Sequence, residues 1–231
     1  LGYKTMHIEV ETDDEVASLA NAFNHMQDDL MKYIDDLKLI TAEKERIGAE
    51  LDVATRIQEN MLPNIFPYRP DREEFDLYAS MTPAKEVGGD FYDFFMVDDS
   101  HLALVIADVS GKGVPAALFM VITKTLIKNA VQQKMSAKEV ADTVNSQLYE
   151  TNKEGMFVTV WLGIFDLATG KMDCVNAGHE YPAIKRKDGK FELFKDKHCF
   201  VLAGIEDSFY KSYELQLNPG DRLFVYTDGV P

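Results

Sequence analysis

The feature that most constrains this chain is an uninterrupted helical repeat near its start. Between Leu19 and Met61, apolar or aromatic residues recur at alternating steps of four and three, and eleven of the thirteen positions conform. Lys44 and Gln58 are the two polar exceptions, and no Pro or Gly interrupts the pattern before Gly48. A 3.5-residue repeat of this length predicts a coiled coil about 65 Å long.

Such a coiled coil most simply forms between two parallel copies of the chain, so we predict a homodimer. The alternative is one long amphipathic helix that lies on its own domain. Lys44 and Gln58 would cost stability on the seam but would fix its register or the oligomeric state. The helix must end near Leu62, because Pro63 and two further prolines follow within eight residues.

The composition excludes several classes of protein. The formal net charge is −15 over 231 residues, and nucleic acid would repel such a chain, so we expect no nucleic-acid partner. Hydrophobic residues make up 46%, as in globular domains, and no run approaches the roughly 18 apolar residues of a membrane span. Cys174 and Cys199 are too few for a disulfide scaffold, which predicts reduced thiols in a cytoplasmic domain.

From Phe75 onward the sequence predicts a mixture of strands and helices. Runs rich in β-branched and aromatic residues predict strands at 75–81, 101–109, 156–166, 171–178 and 222–228. The glycine-containing segments 166–171 and 187–190 predict hairpin turns. Strands that follow one another along the sequence, with the helices also consecutive, are typical of an α+β fold with helices packed on a mostly antiparallel sheet system.

Two helices are predicted between these strands. Pro115 at a first helical position begins one of them. Ser136 and Glu139 have the spacing of a capping box and begin the other. We predict that the first helix packs through Ala117, Leu118, Val121, Ile122 and Thr125, and the second through Val140, Val144 and Leu148.

Three aspartates occupy comparable positions next to strands. Asp90 follows a glycine pair, Asp108 ends an apolar strand before Val109, and Asp228 ends another strand before Gly229. Glycine lets the backbone approach closely and leaves carbonyl oxygens available. Oxygen ligands alone favour magnesium or manganese over zinc. The alternative for each aspartate is a strand-end turn or a helix cap.

Other residues in these segments leave their roles open. Asp93 either contacts the metal ligands without binding the metal itself, or lies on the exposed face of its strand. His179 either contacts a substrate or closes a hairpin. The "GGDF" stretch ending at Phe91 lacks the acidic residue that a diguanylate cyclase needs there, and the "SGKG" stretch lacks the spacing of a phosphate-binding loop.

Five motifs in order resemble one family: "ERIGAELDVATRIQENMLPNIFP", "EVGGDFYDFF", "IADVSGKGVPAALFM", "NAGHEYPAI" and "YTDGV". They are similar to the sporulation-protein-E-type branch of the metal-dependent (PPM) serine/threonine phosphatases, which includes the stress-response regulator phosphatases. The resemblance implies a two-sheet β-sandwich flanked by helices (αββα). It also implies hydrolysis of phosphoserine or phosphothreonine on a regulatory protein of the anti-sigma-factor-antagonist type.

The same resemblance implies a site with two manganese or magnesium ions. Asp90, Asp108 and Asp228 would be its catalytic metal ligands, together with the carbonyl of Val109. Asp108 would bridge both ions, and a metal-bridging water would attack the phosphorus. The family's pattern continues past Pro231 with a further acidic ligand, so we expect a C-terminally truncated domain that is weakly active or inactive.

Residues Ile8–Met26 resemble the second half of a HAMP domain, in which a helix ends in Phe-Asn-x-Met. The alternative is an ordinary capped helix start, with Thr12 or Asp13 as N-cap. The resemblance implies a membrane span before Leu1 and hence a cytoplasmic domain of a membrane-anchored bacterial protein. We therefore expect a HAMP-like part at 1–26, a coiled-coil linker at 27–66 and a phosphatase domain at 67–231.

Such an arrangement predicts that the coiled coil transmits signals to the metal site. The transmission needs two discrete states of the coiled coil. A binding module without catalysis is the competing interpretation; replaced metal aspartates would favour it, whereas all three are present.

Overall fold

The computed structural model describes residues 6–9, 14–82 and 87–229. Some of the predictions concern residues outside these ranges, namely the N-cap at Thr12 or Asp13, the boundary at Leu1, and Glu86, Val230 and Pro231 of the motifs. The chain divides into two compact units, Leu1–Val53 and Ala54–Pro231, each described by itself below. The predicted division at residues 26 and 66 stays a prediction.

Helix α1 spans Glu15–Met61 and contains 47 residues. The Asp14 carboxylate accepts hydrogen bonds from the N–H groups of Val16 at 3.0 Å and Ala17 at 3.3 Å, so it acts as the N-cap. The helix ends directly before Leu62 and Pro63, as the prolines predicted. At 1.5 Å per residue it is about 70 Å long.

In the first unit, the apolar stripe of α1 is exposed along the single chain. Leu19 is 71% exposed and Ile40 is 64% exposed. The Asn24 side chain exchanges two hydrogen bonds with the backbone of Ile8, at 2.9 and 3.0 Å. Asn24 belongs to the Phe-Asn-x-Met motif, so this residue ties the backbone of Ile8 to the helix.

In the described part of the second unit, eight strands form two antiparallel sheets. The strands are β1 (Phe91–Met96), β2 (His101–Val109), β3 (Val158–Asp166), β4 (Lys171–Ala177), β5 (Ala183–Lys185), β6 (Phe191–Leu193), β7 (Ser212–Gln216) and β8 (Arg222–Phe224). The larger sheet has the order β1-β2-β3-β4-β7, and the smaller has the order β6-β5-β8. Consecutive strands β1 to β4 are neighbours, so most of the larger sheet is a meander.

Helices α2 (Val114–Gln132) and α3 (Ala137–Thr151) pack against the larger sheet. The capping box at Ser136 and Glu139 is present, and the predicted inward face of α3 is buried. By length and composition α2 is apolar enough to cross a membrane, a test that core helices also pass. Here α2 contributes its buried face to the core.

Alternating side chains bury both faces of the larger sheet. Leu162 of β3 packs into the core that the two helices cover. Its neighbour Trp161 points to the other face and packs with Ile184 of the smaller sheet. This alternation follows from the period of two along a strand. The predicted α+β fold with two sheets and flanking helices is confirmed.

The predicted packing face of α2 is wrong. Leu118 is 61% exposed and Ile122 is 48% exposed. The buried residues of the helix are Ala116, Met120, Thr123, Lys124, Ile127, Ala130 and Val131. Lys124 lies on the buried face of the helix, where its Nζ pairs with the buried carboxylate of Asp93.

Two strand predictions also need correction. Residues 75–81 form no strand; Phe75 and Tyr78 instead pack their rings against Tyr68 and Phe66, with centroids 6.4 and 5.1 Å apart. The predicted strand 222–228 is shortened to β8. Strand β7 was missed because it is a polar strand at the edge of the sheet, where apolar periodicity is weak.

We predict that Met120→Ala lowers the free energy of unfolding by about 2–5 kcal/mol, because Met120 is fully buried. Leu118→Ala on the same helix should change it by less than about 0.5 kcal/mol, since that side chain is mostly exposed. Denaturant unfolding of both variants checks the assignment. A larger loss for Leu118→Ala would restore the face predicted from the sequence.

Candidate active site

The Gly88–Asp90 segment lies directly before β1 and against the end of β2. A Cβ atom on Gly89 would lie 2.8 Å from the carbonyl oxygen of Val109, closer than real Cβ atoms come to such an oxygen. Only glycine allows this approach. The segment therefore brings Asp90 next to the residues that follow β2.

The register of β1 and β2 sets Asp90 opposite Asp108. Phe91 pairs with Ala107, so the residue before β1 lies beside the residue that follows Ala107. The Asp90 carboxyl group lies close enough to Asp108 to raise the pKa of that side chain. The hydroxyl of Thr227 donates a hydrogen bond of 3.0 Å to Oδ2 of Asp90.

This apposition is electrostatically unfavourable when both carboxylates are ionised. Burial raises the pKa of Asp108 to about 7, and Asp90 and the charge of Asp228 add to the shift. The structure thus brings Asp90 and Asp108 into contact, with Asp228 near enough to act through its charge. Perturbed carboxylates in such clusters are typical of functional sites.

The donor atoms of this cluster fit a hard divalent cation. The side chains supply only oxygen, which magnesium and manganese prefer. Among the described residues, no group of three His, Cys, Asp or Glu side chains has the spacing of a metal site. The roles of Asp90, Asp108, Val109 and Asp228 as metal ligands stay predictions.

Asp93 is a buried ion-pair partner. Its Oδ2 lies 2.6 Å from Nζ of Lys124, and both side chains are less than a tenth exposed. The backbone N–H of Phe94 donates to the other oxygen at 3.0 Å. Of the two alternatives for Asp93, the exposed face is therefore wrong, because α2 covers this face of β1 and Lys124 neutralises the charge.

His179 is buried beside the same cluster. Its backbone N–H donates to Oδ1 of Asn176 at 2.8 Å, and its ring Nδ1 lies 2.8 Å from the Thr159 hydroxyl. Its Nε2 has no hydrogen-bond partner among the described residues. Burial lowers the pKa of His179 to about 4, against the opposing effects of the Tyr226 backbone and Asp90, so the ring is neutral at pH 7. Substrate contact by His179 stays a prediction.

Sequence reasoning missed three residues that shape this region. Thr227 precedes the predicted ligand Asp228 and donates a hydrogen bond to the predicted ligand Asp90, a contact that only the fold reveals. Lys124 could have been found as the lysine within an otherwise buried helical stripe. Gln58 was assigned to the coiled-coil seam, yet its side chain binds the backbone of Gly88 at 2.7 and 3.1 Å.

The fold and the carboxylate cluster define the class of protein. Two antiparallel sheets with helices packed on the larger one are the arrangement of a PP2C-type phosphatase domain. The family model described as Stage II sporulation protein E (SpoIIE) matches residues 98–231. The chain belongs to this family, which confirms the resemblance.

Two curated relatives extend the match toward the start of the chain. Protein IcfG of Synechocystis is 31% identical, over 94% of this chain and 37% of its own length. The phosphoserine phosphatase RsbU of Bacillus subtilis is 29% identical, over 81% of this chain and 55% of its own length. The chain thus spans only about a third to a half of these relatives.

Solved structures share the fold. The SiaA-PP2C domain of Pseudomonas aeruginosa superimposes with a TM-score of 0.65 at 22% identity, over 81% of this chain and 74% of that one. RsbX, solved in complex with magnesium, gives a TM-score of 0.53 at 19% identity, over 64% and 70% of the two chains.

The raised pKa of Asp108 predicts a pH-dependent stability for the metal-free protein. An unfolded Asp108 loses its proton near pH 4, whereas the folded one keeps it until about pH 7, so folding takes up a proton between these values. The free energy of unfolding should therefore fall as the pH rises through this range. Solvent screening at this half-buried site limits the loss to roughly 1–2 kcal/mol.

Chemical denaturation with a chelator present, at pH 4 to 8, measures this effect. Asp108→Asn should gain stability relative to the wild type as the pH rises. Asp188→Asn, an exposed carboxylate in the turn after β5, is the matched control and should show no such gain. A pH profile that is the same for the wild type and Asp108→Asn would contradict the prediction.

Proposed function

We propose that this protein is a metal-dependent serine/threonine protein phosphatase. The observation that carries the proposal is the apposition of Asp90 and Asp108 on a SpoIIE-family domain, with the pKa of Asp108 raised to about 7. A cation between the two carboxylates would remove their repulsion. The proposal also rests on RsbU, a named phosphoserine phosphatase, as a relative.

Asp90, Asp108, Asp228 and the carbonyl of Val109 would hold two manganese or magnesium ions. When bound, such ions lower the pKa of water and neutralise the charge that develops on a phosphoryl group. The chain's own residues keep the ligands in place. Thr227 orients the Asp90 carboxylate by its hydrogen bond, and Gly89 keeps the Val109 carbonyl close to the segment.

The substrate we propose is a phosphorylated regulatory protein of the anti-sigma-factor-antagonist type. The support is the resemblance of the motifs together with the name of RsbU. The acidic charge of the chain is compatible with a protein substrate and unfavourable for nucleic acid.

We further propose that the protein works as a homodimer and responds to signals through α1. The exposed stripe of α1 supplies the apolar face that a parallel coiled coil would bury. The HAMP-like segment supports a place in the cytoplasm as part of a membrane-anchored bacterial protein. Its sensory input would reach the domain through the helix.

The enzymatic proposal predicts manganese-dependent release of phosphate from a phosphoserine protein. Asp108→Asn should lower kcat/KM at least about 100-fold, because a ligand of the ions is lost. Asp188→Asn should leave it unchanged. We would assay this chain and a longer form that continues past Pro231, each with manganese and with a chelator.

Two results would count against the phosphatase. One is no release from the longer form with saturating manganese and several phosphoprotein substrates, which would favour the binding module. The other is release that is equal in the wild type and in Asp108→Asn.

The dimer proposal predicts that Lys44→Leu strengthens self-association. Removing a polar residue from the seam should tighten the dimer about tenfold or more, whereas Lys32→Leu, beside the seam, should not. Sedimentation equilibrium measures both dissociation constants. The substitution should also lock one state of the coiled coil, so an unchanged signal response in the Lys44→Leu protein would contradict the signalling proposal.

A further inference from the structure

The last turns of α1 carry a buried glutamine that binds backbone instead of another helix. Gln58 is 5% exposed. Its amide nitrogen donates to the carbonyl oxygen of Gly88 at 2.7 Å, and its amide oxygen accepts from the N–H of Gly88 at 3.1 Å. One side chain therefore satisfies both polar groups of a single glycine, as a neighbouring strand would.

This contact lies where the sheet does not reach. The pairing of β1 with β2 begins at Phe91, so Gly88 precedes the hydrogen-bonded register. Gln58 replaces the missing strand on one side of the segment, and the Val109 carbonyl packs against Gly89 on the other. The residue that follows this doubly held glycine pair is Asp90.

We propose that Gln58 is a positioning residue that holds the Asp90 carboxylate in place through the backbone of Gly88. What Asp90 then does rests on the proposed function; the holding itself does not. Two short steps, from amide to peptide and from peptide to carboxylate, link the end of α1 to the candidate site.

Other contacts confine the effect of Gln58 to this segment. The Tyr92 hydroxyl donates to the Pro63 carbonyl at 3.0 Å, and the N–H of Met96 donates to the Tyr68 hydroxyl at 3.2 Å. These bonds tie the rest of β1 to the residues after α1. Loss of the Gln58 amide should therefore loosen Gly88, Gly89 and Asp90 without releasing the strand.

The contact also makes the segment sensitive to the rotation of the helix. Successive residues of an α-helix are about 100° apart around its axis. A shift of one residue in register would point Gln58 away from Gly88 and bring the exposed Glu59 or Ile57 toward it. Neither of those side chains can donate and accept as an amide does.

The test compares Gln58→Met with Asn60→Met by amide hydrogen exchange in the metal-free chain. Asn60 is an exposed amide in the same turn, so this control makes the same replacement away from Gly88. We expect exchange at Gly88, Gly89 and Asp90 to accelerate about tenfold in Gln58→Met alone. Tyr68→Phe, which weakens the far end of β1, should leave exchange at these three amides unchanged.

Manganese titration and phosphate release separate this inference from the proposed function. Faster exchange confined to Gly88–Asp90, with about tenfold weaker manganese binding, supports positioning at a working metal site. If Gln58→Met shows the same local change but the wild type shows no metal-dependent hydrolysis, the phosphatase proposal is wrong and the positioning role stands. Unchanged exchange in Gln58→Met, or acceleration spread evenly over the domain, would overturn the positioning role.

Discussion

The apposition of the carboxyl groups of Asp90 and Asp108 determines the electrostatics of the candidate site. Two neighbouring carboxylates repel each other once both are ionised, and partial burial removes the water that would weaken the repulsion. The pKa of Asp108, raised to about 7, records that cost. Asp93, only three residues after Asp90, is buried more deeply but is neutralised by Lys124. Lys124 thus neutralises Asp93, whereas Asp90 lies beside a second carboxylate, that of Asp108.

The remainder of the domain keeps this unfavourable contact from relaxing. Antiparallel pairing fixes β1 against β2, and the larger sheet is buried on one face by α2 and α3 and on the other by the smaller sheet. The Lys124–Asp93 pair ties α2 to β1 beside the site. Because the scaffold is packed on both faces, the backbones of β1 and β2 are held in place beside the two carboxylates. The unfavourable apposition of the two carboxylates is therefore kept beside a packed core.

The sequence predicted what depends on local pattern. Strands β2, β3 and β4 follow from apolar runs, α3 from its capping box, and the aspartate positions from the glycines beside them. It failed where tertiary contacts decide. The packing face of α2 was misplaced, because the face is marked by a buried ion pair between Lys124 and Asp93, which are 31 residues apart in the sequence. The segment 75–81 has the composition of a strand, yet it packs through its aromatic side chains and pairs with no neighbouring strand.

Gln58 shows why a helical repeat does not identify its partner. The 3.5-residue spacing runs from Leu19 to Met61 with Gln58 as one of two polar exceptions, and nothing in the spacing shows what each position contacts. The second compact unit nevertheless begins at Ala54, and Gln58 and Leu62 are buried within it. One stripe of the helix thus has two environments: upstream it is exposed and suited to a second helix, and downstream it belongs to the domain. Within the second unit, a rotation of the last turns of α1 would turn Gln58 relative to Gly88, because successive helical residues are about 100° apart around the axis.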